Sequence, residues 1–184
     1  MASFLNGRSG FALASIAAPF AAAAAANAAV VTVNYVVTNT SNSTQTFVYE
    51  QNIGALLGPS SIMTGSVTGT VTDLNGDGAE VTTVGQVGSI YTALIDGVGV
   101  RGLLGPGFSF NAGQFLSSTS GSDSFTAEPG PGVNSQIGIR FEFTLTAGDS
   151  ASFTSIFTVN AVPAPGAIGL LAVAGLVGLR RRRN

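Results

Sequence analysis

The stretch Ile137-Gly138-Ile139-Arg140-Phe141-Glu142-Phe143-Thr144-Leu145 decides the fold class. Its odd positions are all apolar, while Gly, Arg, Glu and Thr occupy the even ones. Successive side chains of a β-strand point to opposite faces, so this alternation sends one set into a core and leaves the other in solvent. A helix built from the same residues would scatter the two phenylalanines around its surface. Beyond the turn residues Ala147-Gly148-Asp149-Ser150 the pattern resumes with Ala151, Phe153, Phe157 and Val159. So short a gap predicts that the two segments pair as an antiparallel hairpin.

Working outward, strands are expected at 30–38, 46–53, 65–74, 79–87, 90–95, 107–110, 114–118 and 124–127, separated by Gly, Asn, Ser and Pro clusters. No window shows a 3.6-residue period. Short, evenly spaced strands with turn signals between them predict an all-β fold, an antiparallel β-sandwich of Ig-like or jelly-roll type. Ala55, Leu56 and Leu57 interrupt the alternation ahead of Pro59, which predicts a short helix or crossover over 54–63. Glu128-Pro129-Gly130-Pro131-Gly132 is expected to be a loop, because proline removes ladder hydrogen bonds. The chain shows no fixed-period repeat of the kind that builds a β-helix or propeller.

Composition narrows the chemistry. The chain of 184 residues has no cysteine, histidine or tryptophan, and all seven of its basic residues are arginines. Disulfides, thiol chemistry, Cys/His metal sites and histidine acid-base catalysis are thereby excluded. The formal charge of −2 conceals an asymmetry: Arg8 lies near the start and Arg180, Arg181, Arg182 and Arg183 at the end. Only Arg101 and Arg140 remain in the middle, against nine carboxylates, so that region carries −7 (2 − 9). Such a surface repels a phosphate backbone, and no nucleic-acid partner is expected.

The two ends differ in kind from the middle. Residues 1–28 read as a signal peptide: Arg8 supplies the positive region, 11–26 the apolar stretch, and Ala26-Asn27-Ala28 a small-x-small site cleaved after Ala28. A β-sandwich domain of about 130 residues, over 29–161, is expected to follow. At 162–184 stand Val162-Pro163-Ala164-Pro165, an apolar run of 14 residues over 166–179, and the four arginines. As a helix the run would reach about 21 Å at ~1.5 Å per residue, short of the ~30 Å hydrocarbon core. Snorkelling arginines extend that reach, and their charge keeps the tail cytoplasmic with the domain outside.

This tail resembles the PEP-CTERM sorting domain of Gram-negative bacteria, in a Val-Pro-Ala-Pro variant where Ala164 stands in place of the family's glutamate. The resemblance covers 162–184 alone. It implies recognition by an exosortase-like, transpeptidase-like membrane enzyme that cuts near Val162, Pro163, Ala164 and Pro165. It further implies transient anchoring in the inner membrane through the C-terminal helix, and delivery to the outer surface or an exopolysaccharide matrix. The alternative is a plain C-terminal anchor that is never processed.

Within the middle, Asp73-Leu74-Asn75-Gly76-Asp77-Gly78 matches the opening of a calcium loop, D-x-N-x-D-G, and makes Asp73, Asn75 and Asp77 candidate metal ligands. The bidentate glutamate such a loop needs would fall at 84, which is Val84. The same residues suit a hairpin turn between two strands, and the two readings are compatible. Gly97, Gly99 and Gly102 spell G-x-G-x-x-G, but Pro106 and Gly107 stop the helix a dinucleotide would need. Nothing selects a catalytic pair among Glu50, Asp96 and Glu142, and Glu142 with Arg140 reads as a solvated ion pair worth under about 1 kcal/mol. No catalytic or cofactor-binding residue is therefore assigned. The expected function is that of a secreted or surface-displayed structural or matrix protein, with an extracellular polysaccharide- or calcium-binding module as the alternative.

Overall fold

The alternation over 137–145 is complete in the folded chain: Ile137, Ile139, Phe141, Phe143 and Leu145 each expose 0% of their surface. A computed structural model of the protein describes residues 27–85 and 88–162, together with the backbone of residues 15–16. Along the chain the strands are β1 (Ser15–Ile16), β2 (Ala28–Thr38), β3 (Gln45–Gly54), β4 (Gly58–Thr72), β5 (Ala79–Thr83) and β6 (Tyr91–Ile95). They continue with β7 (Val98–Leu103), β8 (Ser109–Ala112), β9 (Ser117–Val133), β10 (Gln136–Leu145) and β11 (Ser150–Ala161). The protein is all-β, and every strand pairing is antiparallel.

Two sheets pack face to face. The first runs β1-β2-β11-β4-β9. The second is forked around β10: along one edge β10 pairs with β3 over its whole length, and along the other with β6 at Ile137 to Phe141 and with β5 at Phe143 to Leu145. β7 lies outside β6, and β8 outside β5. Apart from the β5–β8 stretch and the short β1–β2 pair, each successive strand changes sheet, so neighbours in sequence face one another across the core.

That crossing overturns the expected hairpin. β10 and β11 belong to opposite sheets, and 146–149 form a corner between them. Alternation fixes which face of a strand is buried, not which strand lies beside it. Here the two buried faces meet: the Phe153 ring sits 5.0 Å from Phe141 and 4.9 Å from Phe143, centroid to centroid. Paired edge to edge in one sheet, the three rings would instead line a single face. The loop after β2 holds the corner shut, with the Asn39 N–H donating to the Asp149 carbonyl at 2.8 Å and the Gly148 N–H to the Asn39 carbonyl at 2.9 Å.

Two further expectations are overturned, one of them in part. Residues 55–57 are a crossover, carrying the chain from β3 in the second sheet to β4 in the first, but 54–63 form no helix: β4 begins at Gly58 and is 15 residues long. Its inward positions include Ser61, Gly65 and Gly69, which hide the apolar period, and a side chain at Gly69 would come within 2.7 Å of the Phe153 ring and 2.9 Å of the Phe110 ring. Residues 128–132 are strand, not loop, because β9 is the outer strand of its sheet and pairs only with β4 there. A proline whose nitrogen faces off a sheet edge breaks no ladder bond, and Pro129 and Pro131, two apart, share one orientation. Smaller differences are that β5 stops at Thr83, that 114–116 precede β9, and that β7 was not anticipated.

The long sides of the sandwich close differently. Where β7 meets β9, Arg101 pairs with Glu128 at 3.2 Å and lies 5.9 Å above the Phe125 ring, while the Leu104 N–H donates to Asp123 at 3.0 Å. On the opposite side Tyr35 and Tyr49 stack at 4.6 Å. The first and last strands of the sandwich, β2 and β11, are neighbours, and the Ala161 N–H donates to the Asn27 carbonyl at 2.7 Å. Ala28, the residue preceding the expected signal cleavage, is thus the first residue of β2, opposite Asn160. Val162 is half-exposed and donates its N–H to the Ser60 carbonyl. Ala26, Pro163, Ala164, Pro165 and Arg180 to Arg183 lie outside the described residues. Among the described residues no helix is long and apolar enough to cross a membrane.

Candidate metal centre

Residues 73–78 carry the chain from β4 in one sheet to β5 in the other, so they form a corner rather than the expected hairpin turn. The glycines behave as the sequence implied: Gly76 has φ +88 and Gly78 φ +93, conformations that side chains disfavour. At the centre is Asp73, 3% exposed. Its Oδ1 accepts the N–H groups of Asn75 at 3.2 Å and Gly76 at 2.9 Å, and its Oδ2 those of Gly78 at 3.2 Å and Phe115 at 2.7 Å. Four donors fill the roughly four lone-pair sites of a carboxylate. Burial opposes ionisation of Asp73, but these donors, led by Phe115, outweigh it and hold the carboxyl below its ordinary value.

The third carboxylate at this corner was not anticipated. Asp149, fully buried, comes from the β10–β11 corner, and the oxygens of Asp73, Asp77 and Asp149 lie within 4.8 Å of one another. Asp149 accepts the Thr146 hydroxyl and, at 3.4 Å, the Leu74 N–H. Burial pushes its carboxyl above the ordinary value, and the Asp73 charge adds to that rise against the two hydrogen bonds. Asn75 serves the backbone: its amide donates to the Ala147 carbonyl at 3.0 Å and its oxygen accepts the Asp77 N–H at 3.2 Å. Of the three residues named from sequence, the structure therefore brings Asp73 and Asp77 together. The third carboxylate of the cluster is Asp149, which local spacing could not reveal. Its only sequence signal was the turn Ala147-Gly148-Asp149-Ser150 flanked by strong strands.

Chemically, Asp73 is committed to the fold. Asp77, which is exposed, and Asp149 retain the oxygen positions that could take a hard cation.

A second aspartate knot lies at another corner. Asp96 and Gly97, with φ 51 and 79, make the tight β6–β7 turn, which places Gly99 and Gly102 in a strand rather than before a helix. The Asp96 carboxylate accepts N–H groups from Asn134, Ser135 and Gln136 and the Ser135 hydroxyl, and these donors, led by Gln136, hold it well below its ordinary value. Arg140 and Glu142 form a half-exposed pair at 2.7 Å, as expected of a solvated ion pair, and Glu50 lies directly across from Arg140 on β3.

Together these features define an all-β, sandwich-like domain of antiparallel sheets whose corners are tied by buried or fully hydrogen-bonded aspartates. No family model and no curated protein matches the chain. A solved structure of infectious bursal disease virus Gx strain is similar to it, with a TM-score of 0.35 and 16% identity, over 80% of this chain and 33% of that one. The chain thus spans about a third of the length of that structure.

Proposed function

We propose that this chain is a secreted or surface-displayed structural protein without catalytic activity, sorted to the outer surface or extracellular matrix by an exosortase-like system. The observation that carries the reading is the order of Val162-Pro163-Ala164-Pro165, an apolar run and Arg180 to Arg183 directly after the last strand. The non-catalytic part is supported by how the carboxylates are used: Asp73 and Asp96 spend their oxygens on backbone N–H groups, as braces do and acid-base catalysts do not. Within the sandwich class the jelly-roll is the closer reading, supported by the strand order β2-β11-β4-β9 facing β3-β10-β5-β8, with β6 and β7 as an inserted hairpin. Mass spectrometry of the surface form tests the sorting: loss of the segment from Arg180 to Asn184, dependent on the processing enzyme, is expected. An intact arginine tail on the mature surface protein would sink the proposal in favour of a plain anchor.

A second reading, calcium binding, is favoured by the proximity of Asp73, Asp77 and Asp149. A cation there would offset the repulsion between the two buried carboxylates. Titration calorimetry decides it: binding at millimolar calcium, lost in Asp77→Asn and Asp149→Asn, is expected, and no heat from the unmodified protein removes the idea.

A further inference from the structure

The strands β2, β11 and β4 lie side by side in the first sheet, and none of the three contains a charged residue. Their outer face is built of threonine, serine and asparagine, with Val30, Val36 and Ile156 exposing 37%, 42% and 40% of their surface. In β9, Ser122 and Ser124 continue it opposite Thr68 and Ser66. The charges of the domain lie elsewhere. Glu50 and Glu142 are on the second sheet, the Asp73 cluster and Asp96 are at corners, and Asp123 and Glu128 run along the seam with β7.

We propose that this face is an interface with a second copy of the chain, sheet stacked on sheet. The described region carries −7 (2 − 9), and identical copies repel wherever carboxylates face carboxylates. Across this one face they do not. A partner of opposite charge finds nothing there to grip, whereas a threonine, serine and valine surface is complementary to itself under a two-fold axis. The extent is also sufficient. Four strands at ~4.8 Å spacing and strands of 11 residues at ~3.3 Å each give a face of about 700 Å², close to the roughly 800 Å² per partner of a standard stable interface. Two such sheets stack about 10 Å apart, within about 30° of parallel. The proposal rests on charge placement and is independent of how the chain is sorted.

The absence of cysteine makes the test clean. Thr154→Cys, at the middle of β11, is made in the full chain, exported from its host and treated with a short bismaleimide. A covalent dimer is expected as the main product. Thr46→Cys, exposed on β3 of the other sheet, should stay monomeric. Asn34→Asp and Thr68→Asp, the cross-strand neighbours of Thr154 on either side, should each abolish the dimer in the Thr154→Cys background while the protein keeps its protease resistance. A monomer from Thr154→Cys, an adduct of another mass, equal capture from Thr46→Cys, or a dimer that survives both aspartates would each overturn the proposal.

Discussion

Phe141 and Phe153 stack with ring centroids 5.0 Å apart and planes 27° from parallel, one from each sheet, so the midplane of the core passes between them. Phe153 also touches Phe143 and Phe110 and lies against Gly69, so its removal takes a contact from three rings and opens space beside a glycine. Phe153→Ala should therefore destabilise the domain by about 3–5 kcal/mol, and Phe153→Leu by less, because the smaller cavity can partly refill. Chemical denaturation followed by tyrosine fluorescence measures both.

Asp73 and Asp77 sit in one motif but do different work. Asp73→Asn should lower the melting temperature by several degrees, because an amide nitrogen would then face the N–H groups of two neighbours that now share a carboxylate. Asp77→Asn, on an exposed residue, should leave it nearly unchanged. If the two variants melt alike, the corner is not held by Asp73.

The raised carboxyl of Asp149 has a defined sign. A carboxylic acid whose folded value exceeds its unfolded one favours the fold when protonated, so its contribution is complete below the ordinary value of about 3.9 and is lost as pH rises through the folded value. Asp73 and Asp96, both lowered, act oppositely: their contribution is present above that ordinary value and fades as pH falls. Asp149→Asn should remove only the first effect. Melting curves from pH 3 to pH 7 should show the variant gaining on the unmodified protein as pH rises, and parallel curves would refute it.

The edge prolines make a separate prediction. β9 is a 17-residue edge strand, and Pro129 and Pro131 deprive its C-terminal half of two outward donors. Replacing both with threonine should leave the fold intact and produce thioflavin-binding aggregates at concentrations where the unmodified protein gives none.

What the sequence made legible follows the same physics. Period-two alternation located β10 and β11 and identified their inward faces, because burial acts on each strand alone, while turn residues bounded β2 and β3. It could not reveal that β10 and β11 face rather than pair, since partner choice depends on chain direction at a corner held by Asn39 and Asp149. β4 was half hidden because Ser61, Gly65 and Gly69 take inward places beneath large rings, and β9 because proline is excluded from central strands but not from edges. At the candidate site, the local motif exposed Asp73 and Asp77, whereas Asp149 reaches the same corner through tertiary folding alone.

The adjacency of β2 and β11 also governs when the domain can form. Among the described residues β11 alone joins β2 to β4, so the first sheet has no continuous interior until this twelve-residue strand has been made. A nascent chain ending anywhere before Ser150 lacks that junction and leaves the inward faces of both neighbours wet. Long-range closure of this kind is slow. The native first sheet therefore cannot be complete before β11 has been made, and folding of the whole domain waits on its C-terminal strand.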